Sequence, residues 1–233
     1  MADNMFERLE NTYTIDSIHR LSQEHVCIIG LGGGGCAVAE ILARTGVHNF
    51  ILIDGDTFED TNKNRQIGAL NSTLGKYKVE VMADRLKDIN PDIQIECIRE
   101  FITRDNYIDI ICPRKIDIIC DTVDGSSKLI VADVCEDLKI PYITGGCGGY
   151  SWFTAPIDNI KCKGRDIWGY PENDDPGFSP SANPASVFIQ AGFQAQEIIN
   201  FLLGRDWGMR GNKIVFNHMN YTFAVRDISD NEE

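Results

Sequence analysis

"CIIGLGGGGCAVAEILARTGVHNFILID", Cys27 to Asp54, sets a run of glycines between two apolar stretches. A flexible loop would explain the glycines. A backbone that must approach a phosphate explains them better, because the flanks are ordered elements. "VCII", 26–29, reads as a buried strand, since a short continuous apolar run suits a strand covered on both faces. Gly35 to Thr45 reads as a helix with Val38, Ile41 and Leu42 on one face. "FILID", 50–54, is a second buried strand ending in an acid. Gly30, Gly32 and Gly35 thus form G-x-G-x-x-G at a strand-to-helix seam, with Gly33 inside it. In such a seam one glycine makes the tight turn, one lets backbone reach the phosphate, and one lets helix and strand pack closely. The helix N-terminus adds free N–H groups and partial positive charge. Asp54 follows Gly30 by 24 residues, where an acid takes a ribose hydroxyl.

Outward from this unit, strands and helices alternate. "LGKYKVEVMADRLKDIN", 74–90, is amphipathic, with Val79, Met82, Leu86 and Ile89 on one face. "IQIECI", 93–98, "IDIIC", 116–120, and "PYIT", 141–144, read as strands, and 126–138 as a helix. Such alternation implies a parallel sheet with right-handed crossovers. After Tyr150 the pattern changes. Residues 151–161 suggest an antiparallel strand, 163–185 a long loop, 186–204 a strong helix and 213–228 a closing hairpin. The expectation is one α/β domain over 1–233, Rossmann-like and mainly parallel, with helices on both faces and antiparallel C-terminal strands. It divides into an N-terminal helical arm (1–24), a nucleotide-binding core (25–150) and a substrate region (151–233).

Composition bounds the function. The chain has 233 residues and a net charge of −13, which argues against an extended nucleic-acid surface. No apolar run suits a bilayer span, and "MADNMFERLE" lacks a signal-peptide pattern. A cytoplasmic location without membrane attachment is expected. The eight cysteines form no C-x-x-C pair, so no structural zinc is expected. Cys27, Cys97, Cys112 and Cys120 lie in apolar runs and read as core residues.

The segment after Asp54 changes the ligand from a dinucleotide. "LIDGDTFEDTNKNRQIGALNSTLGKYKVEVMADRLKDINP" resembles the ThiF/MoeB/E1-like adenylyltransferase superfamily. The resemblance rests on the glycine loop, Asp54 and Asp56 as D-x-D, Thr61-Asn62, Arg65-Gln66, and Gly75 with Lys78. "CDTVD", 120–124, matches the end of strand four. It is strong over residues 6–150 and weak over 186–204. The resemblance implies ATP and Mg²⁺, with a substrate carboxylate attacking the α-phosphorus to give an acyl-adenylate and pyrophosphate. It implies that Arg65 and Lys78 hold the phosphates, Asn62 orients them, Asp54 takes the ribose and Asp124 holds Mg²⁺. Gly30, Gly32, Gly33, Gly35, Asp56 and Gln66 complete the implied nucleotide site. It further implies a homodimer with an arginine from the partner's N-terminal segment, for which Arg8 and Arg20 are both candidates.

Residues 44–146 have the flavour of tRNA threonylcarbamoyladenosine dehydratases, whereas the last third departs from them. Sulfur-carrier branches carry zinc cysteine pairs that this chain lacks. The preferred expectation is activation of a small-molecule carboxylate, such as guanylylpyridinol, with a separate acceptor protein taking the acyl group. Loop aromatics (Phe153, Trp168, Tyr170, Phe178) would suit a planar substrate. The alternatives are a ubiquitin-like or sulfur-carrier C-terminus, modified tRNA, or a non-catalytic nucleotide-binding module. Arg65 and Lys78 disfavour the last. Cys162, between Lys161 and Lys163, is either an activated thiol or a sheet residue, the second being favoured; Cys147 reads as a small residue beside the site.

Overall fold

A computed structural model of the chain describes residues 5–158, 162–168, 183–205, 211–217 and 219–228. An N-terminal stretch leads into α1 (Ile15–Leu21) and β1 (His25–Ile29). Next come α2 (Gly33–Thr45), β2 (Asn49–Ile53), α3 (Lys78–Ile89), β3 (Gln94–Ile98), α4 (Tyr107–Ile111) and β4 (Ile118–Asp121). Then follow α5 (Ser127–Leu138), β5 (Tyr142–Gly148), β6 (Ser151–Ile157), α6 (Gly164–Trp168), α7 (Pro184–Leu202), β7 (Asn212–Asn217) and β8 (Thr222–Asp227). They build one sheet in the order β3-β2-β1-β4-β5-β6-β7-β8. Strands β3 to β5 are parallel; β6, β7 and β8 are antiparallel to their neighbours. The chain order reverses between β1 and β4, which opens a crevice at their C-terminal ends.

Residue alternation assigns the two faces. Ile28, Cys120 and Ile143 lie in the core under α2, α3 and α7. Ile29, Ile119 and Tyr142 lie in the core under α4, α5 and α6. Both clusters are built from apolar side chains, so the central parallel strands β1, β2 and β4 read as largely hydrophobic runs.

The glycine seam shows why it tolerates no side chain at two positions. Gly30 has φ +91°, a left-handed conformation that glycine adopts without penalty. A Cβ on Gly35 would lie 2.0 Å from the Gly30 carbonyl oxygen and 2.6 Å from Thr122 Oγ1. Close contact between α2 and the β1–β4 edge therefore depends on Gly35.

Several local expectations are corrected. β5 continues through "GGCG" to Gly148, because its antiparallel ladder with β6 holds the glycines extended. The helix expected from Leu74 starts at Lys78, since Gly75 at φ +76° turns the chain first. A short helix, α6, lies inside the expected loop. Cys97 and Cys112 are exposed rather than core residues: β3 is an edge strand, and Cys112 caps α4. Cys162 is no sheet residue; it lies between β6 and α6, is buried, and its Sγ contacts the Pro156 carbonyl oxygen at 3.7 Å. Among the described residues the N-terminal arm is helical only over α1, and it has a role within the monomer. Phe6, Tyr13 and Leu21 are buried, and Tyr13 Oη donates to Gln196 Oε1 at 3.1 Å.

Two stability outcomes follow. Gly35→Ala forces a methyl onto backbone and should cost at least about 1–3 kcal/mol, the usual penalty for overpacking. Gly34→Ala meets nothing nearer than Thr122 Cγ2 at 3.5 Å, an ordinary van der Waals contact, and should be tolerated; urea midpoints compare the two. Glu197 on α7 is buried, with Oε2 unpartnered among the described residues. Burial raises its pKa, and the Asn200 hydrogen bond only partly opposes this. A raised carboxyl stabilises the fold below its unfolded pKa and loses that contribution as pH rises through the folded value. Glu197→Gln should therefore raise the thermal midpoint at pH 7 and do so less at pH 4.

Candidate active site at the sheet switch point

The crevice holds a cavity of about 300 Å³. Gly30 and Gly32 from the β1–α2 seam, Asp54 and Asp56 after β2, and Lys78 at the start of α3 line it. Asn62, Arg65 and Gln66 from the loop between β2 and α3, and Asp124 after β4, complete the wall. Five separated segments thus converge, and nine of the residues expected at the nucleotide site share one cavity. Gly33 lines a smaller adjoining cavity of about 110 Å³. Gly35 lies beneath as a packing residue. Arg8 lies on the exposed surface before α1 and lines none of these cavities.

Local chemistry explains each position. Asp54 is buried and accepts two backbone hydrogen bonds: Leu31 N–H at 2.5 Å and Asp56 N–H at 2.8 Å. It anchors the glycine loop to the end of β2. The carboxylate retains acceptor capacity for a hydroxyl, because its two oxygens offer about four lone-pair sites. Gly32 caps α2 without a side-chain hydrogen bond, and the first turn of α2 carries no acid. The N-terminal N–H groups of a 13-residue helix are therefore available to an anion.

Lys78 is almost buried, and its Nζ pairs with the exposed carboxylate of Asp56 at 3.1 Å. A buried ammonium requires such a partner, and phosphate oxygens would serve equally. Arg65 is steered by its own loop: Nη1 donates to Thr61 O at 3.2 Å and Asn64 Oδ1 at 2.9 Å. Its guanidinium makes no ion pair among the described residues. Asn62 uses Oδ1 to accept from Glu59 N–H at 3.0 Å, shaping the turn that presents Arg65. Arg20 is occupied elsewhere: Nη1 donates to Leu203 O at 3.0 Å, past the C-terminus of α7.

Among the described residues, no group of three or more His, Cys, Asp or Glu side chains is placed to hold a metal. Asp124 is a single exposed carboxylate beside the cavity. That donor set fits Mg²⁺ carried by a nucleotide, since this ion takes one or two carboxylates together with phosphate oxygens and water.

A buried polar group supports Asp124 from below. Asp121, at the end of β4, is fully buried. It accepts Thr144 Oγ1 at 2.5 Å, Val123 N–H at 3.2 Å and Lys128 Nζ at 3.4 Å. Burial pushes its carboxyl up, and Lys128 pulls it back. Sequence reading passed over this acid in "CDTVD" and over Lys128. It also missed Gln190 and Gln194, which line the smaller cavity with Gln66. Two glutamines four apart, interleaved with Val187, Ala191, Ala195 and Ile198 on the buried face of the helix, were the available signal. Gln66 Oε1 and Gln194 Oε1 are buried without a partner among the described residues.

Neither cysteine near the site carries an activated thiol. Burial raises the Cys162 pKa, and Lys163 pairs with Glu136 instead. Burial also raises Cys147, helped by Asp124. Of the aromatics expected on the loop, Phe153 instead lies on β6 and lines an adjoining cavity. The Trp168 side chain, Tyr170, Phe178 and Lys161 lie outside the described residues.

Comparison with known proteins fits this arrangement. The chain is 42% identical over 149 residues to the tRNA threonylcarbamoyladenosine dehydratase of Haemophilus influenzae, covering 63% of this chain and 57% of that protein. It is 30% identical over 218 residues to the sulfur carrier protein ThiS adenylyltransferase of Escherichia coli, covering 88% of this chain and 84% of the relative. Thus the chain spans little more than half of the dehydratase, but most of the adenylyltransferase. Crystallised E. coli MccB with succinimide shares the fold, with a TM-score of 0.86 at 22% identity over 97% of this chain and 71% of that one. The ThiF family model matches residues 7–233, and the chain belongs to the ThiF family.

Proposed function

We propose that the chain adenylylates a carboxylate with ATP. The observation that supports this most is the convergence of Arg65, Lys78, Asp54 and Asp124 on one cavity at the switch point. A carboxylate oxygen of the substrate attacks the α-phosphorus. The bond from that phosphorus to the bridging oxygen breaks, and pyrophosphate leaves with the electron pair. Positioning and charge neutralisation dominate such a step. The N-terminus of α2 and Lys78 hold the phosphates, and Arg65 meets the charge that develops on transfer. Asp54 takes the ribose. Mg²⁺, held at Asp124, supplies further neutralisation when bound.

A small-molecule carboxylate is the preferred acyl donor, guanylylpyridinol being one candidate. The acidic surface and the apolar cavity beside Asp124 favour it. Likeness to the H. influenzae dehydratase favours a second reading, activation of a tRNA-borne carboxylate. Both thiols near the site are poor nucleophiles, which supports transfer of the acyl group to a separate acceptor.

ATP–pyrophosphate exchange tests the core. Arg65→Ala and Lys78→Ala should each lower exchange by about 10²–10³, as expected for one electrostatic contact to the transition state. Near-normal exchange in both rejects the assigned roles, and tight NAD binding without ATP binding rejects the nucleotide. We also propose a two-fold dimer in which the partner's N-terminal segment presents Arg8 to the site; Arg20 is spent on α7. Arg8→Ala should then reduce exchange, and an Arg8→Ala/Lys78→Ala mixture should regain activity through hybrid dimers. A fully active monomer by sedimentation overturns this.

A further inference from the structure

A second cavity, of about 430 Å³, opens beside Asp124 on the face covered by α5 and α6. Asp124 lines both this space and the nucleotide cavity, so the two meet at the expected point of reaction. The sheet forms its floor. Gly146 of β5, Phe153 of β6 and Val215 of β7 stand in one row across three strands. Gly148, two residues on, lies on the same face of β5 and also lines the cavity. Strand side chains alternate between faces, so this floor is bare peptide at two points beside a ring and an isopropyl group. Ile167 of α6 supplies an apolar wall. A flat apolar body would lie against such a surface without displacing any side chain.

Charge sets the ends. The chain carries −13 overall, yet two lysines and a single carboxylate line this cavity. Lys128 stands at the Asp124 end, paired with Asp121. Lys213 stands on β7, three strands from β4, a backbone separation on the order of 14 Å at a strand spacing of ~4.8 Å. Its ammonium makes no ion pair or hydrogen bond among the described residues. A partly buried lysine without a carboxylate partner is a ready contact for an anionic ligand group.

We propose that this cavity holds the acyl substrate, and that the substrate is a compact ring carboxylate bearing a second anionic group. The reacting carboxylate lies at Asp124, the ring lies over Gly146 and Gly148, and Lys213 reads the distal anion. This rests on the adenylylation reading above and deepens it. An extended peptide C-terminus would leave Lys213 unanswered.

Calorimetry and saturation-transfer NMR on the full chain supply the test, with an ATP analogue bearing a methylene between its α- and β-phosphates. Terephthalate and benzoate are the ring probes; octanoate and a peptide ending in Gly-Gly are the competitors. Terephthalate should bind. Lys213→Ala should weaken it about tenfold or more, the worth of one charged hydrogen bond, while barely changing benzoate. Val215→Trp, which fills the floor, should remove both ring probes and leave the ATP analogue bound. The proposal falls if neither ring binds, if Lys213→Ala weakens both probes equally or neither, or if only the peptide binds. Those failures leave adenylylation standing as long as the ATP analogue binds. Conversely, terephthalate binding that depends on Lys213, in a chain that does not bind the analogue, keeps the ligand site and removes its acyl role.

Discussion

Asp54 holds the site together. Its carboxylate joins the end of β2 to the glycine loop through Leu31 N–H and to the following turn through Asp56 N–H. Both hydrogen bonds are to an ionisable acceptor, the stronger class of such bonds. They set the path of the chain on both sides of the crevice. The loop position fixes where α2 begins, and the turn positions Asp56 against Lys78. The close contact of Gly35 with Gly30 completes the arrangement from below. Loop, helix N-terminus and cations are thus parts of one rigid frame, as a site acting mainly by positioning requires.

The second constraint is the buried pair of Asp121 and Lys128. Side-chain exposure is 0% for the carboxylate and 7% for the lysine. Charges so deeply placed survive only when paired and hydrogen-bonded, and removing one partner strands the other. Thr144 and the Val123 N–H complete the shell around the carboxylate. This group sits at the root of the loop carrying Asp124, so it holds the seam between the two cavities. Its polarity is structural on one side and lines a ligand space on the other.

Charge is distributed unevenly for a reason. An acidic exterior repels polyanions, while a few cations are gathered in the interior cavities. Lys78 and Arg65 line the switch-point cavity, and Lys128 and Lys213 the one beside it. Low local dielectric makes each of these charges count for more than one in water. The same burial works against the thiols: it raises the Cys162 pKa, while Lys163 beside it pairs with Glu136.

Much of this was legible in the chain itself. Apolar runs alternating with amphipathic segments dictated the parallel core, because burial on both sheet faces leaves no other pattern for its strands. The glycine spacing and Asp54 stood out in the chain because a strand-to-helix seam built for a phosphate needs small backbone, while Arg65 and Lys78 were marked by the family resemblance; the fold brings all four to one cavity. The tertiary structure alone decided the rest. "GGCG" became strand because β6 and β7 hydrogen-bond beside it, a long-range effect that local propensity does not carry. Cys97 came to the surface because β3 is an edge strand. Asp121, Lys128, Gln194 and Lys213 acquired meaning only when β4, α5, α7 and β7 brought them to the cavities and the seam between them. Spacing along a chain encodes local geometry, whereas the meeting of distant side chains depends on strand order and on which face each residue takes.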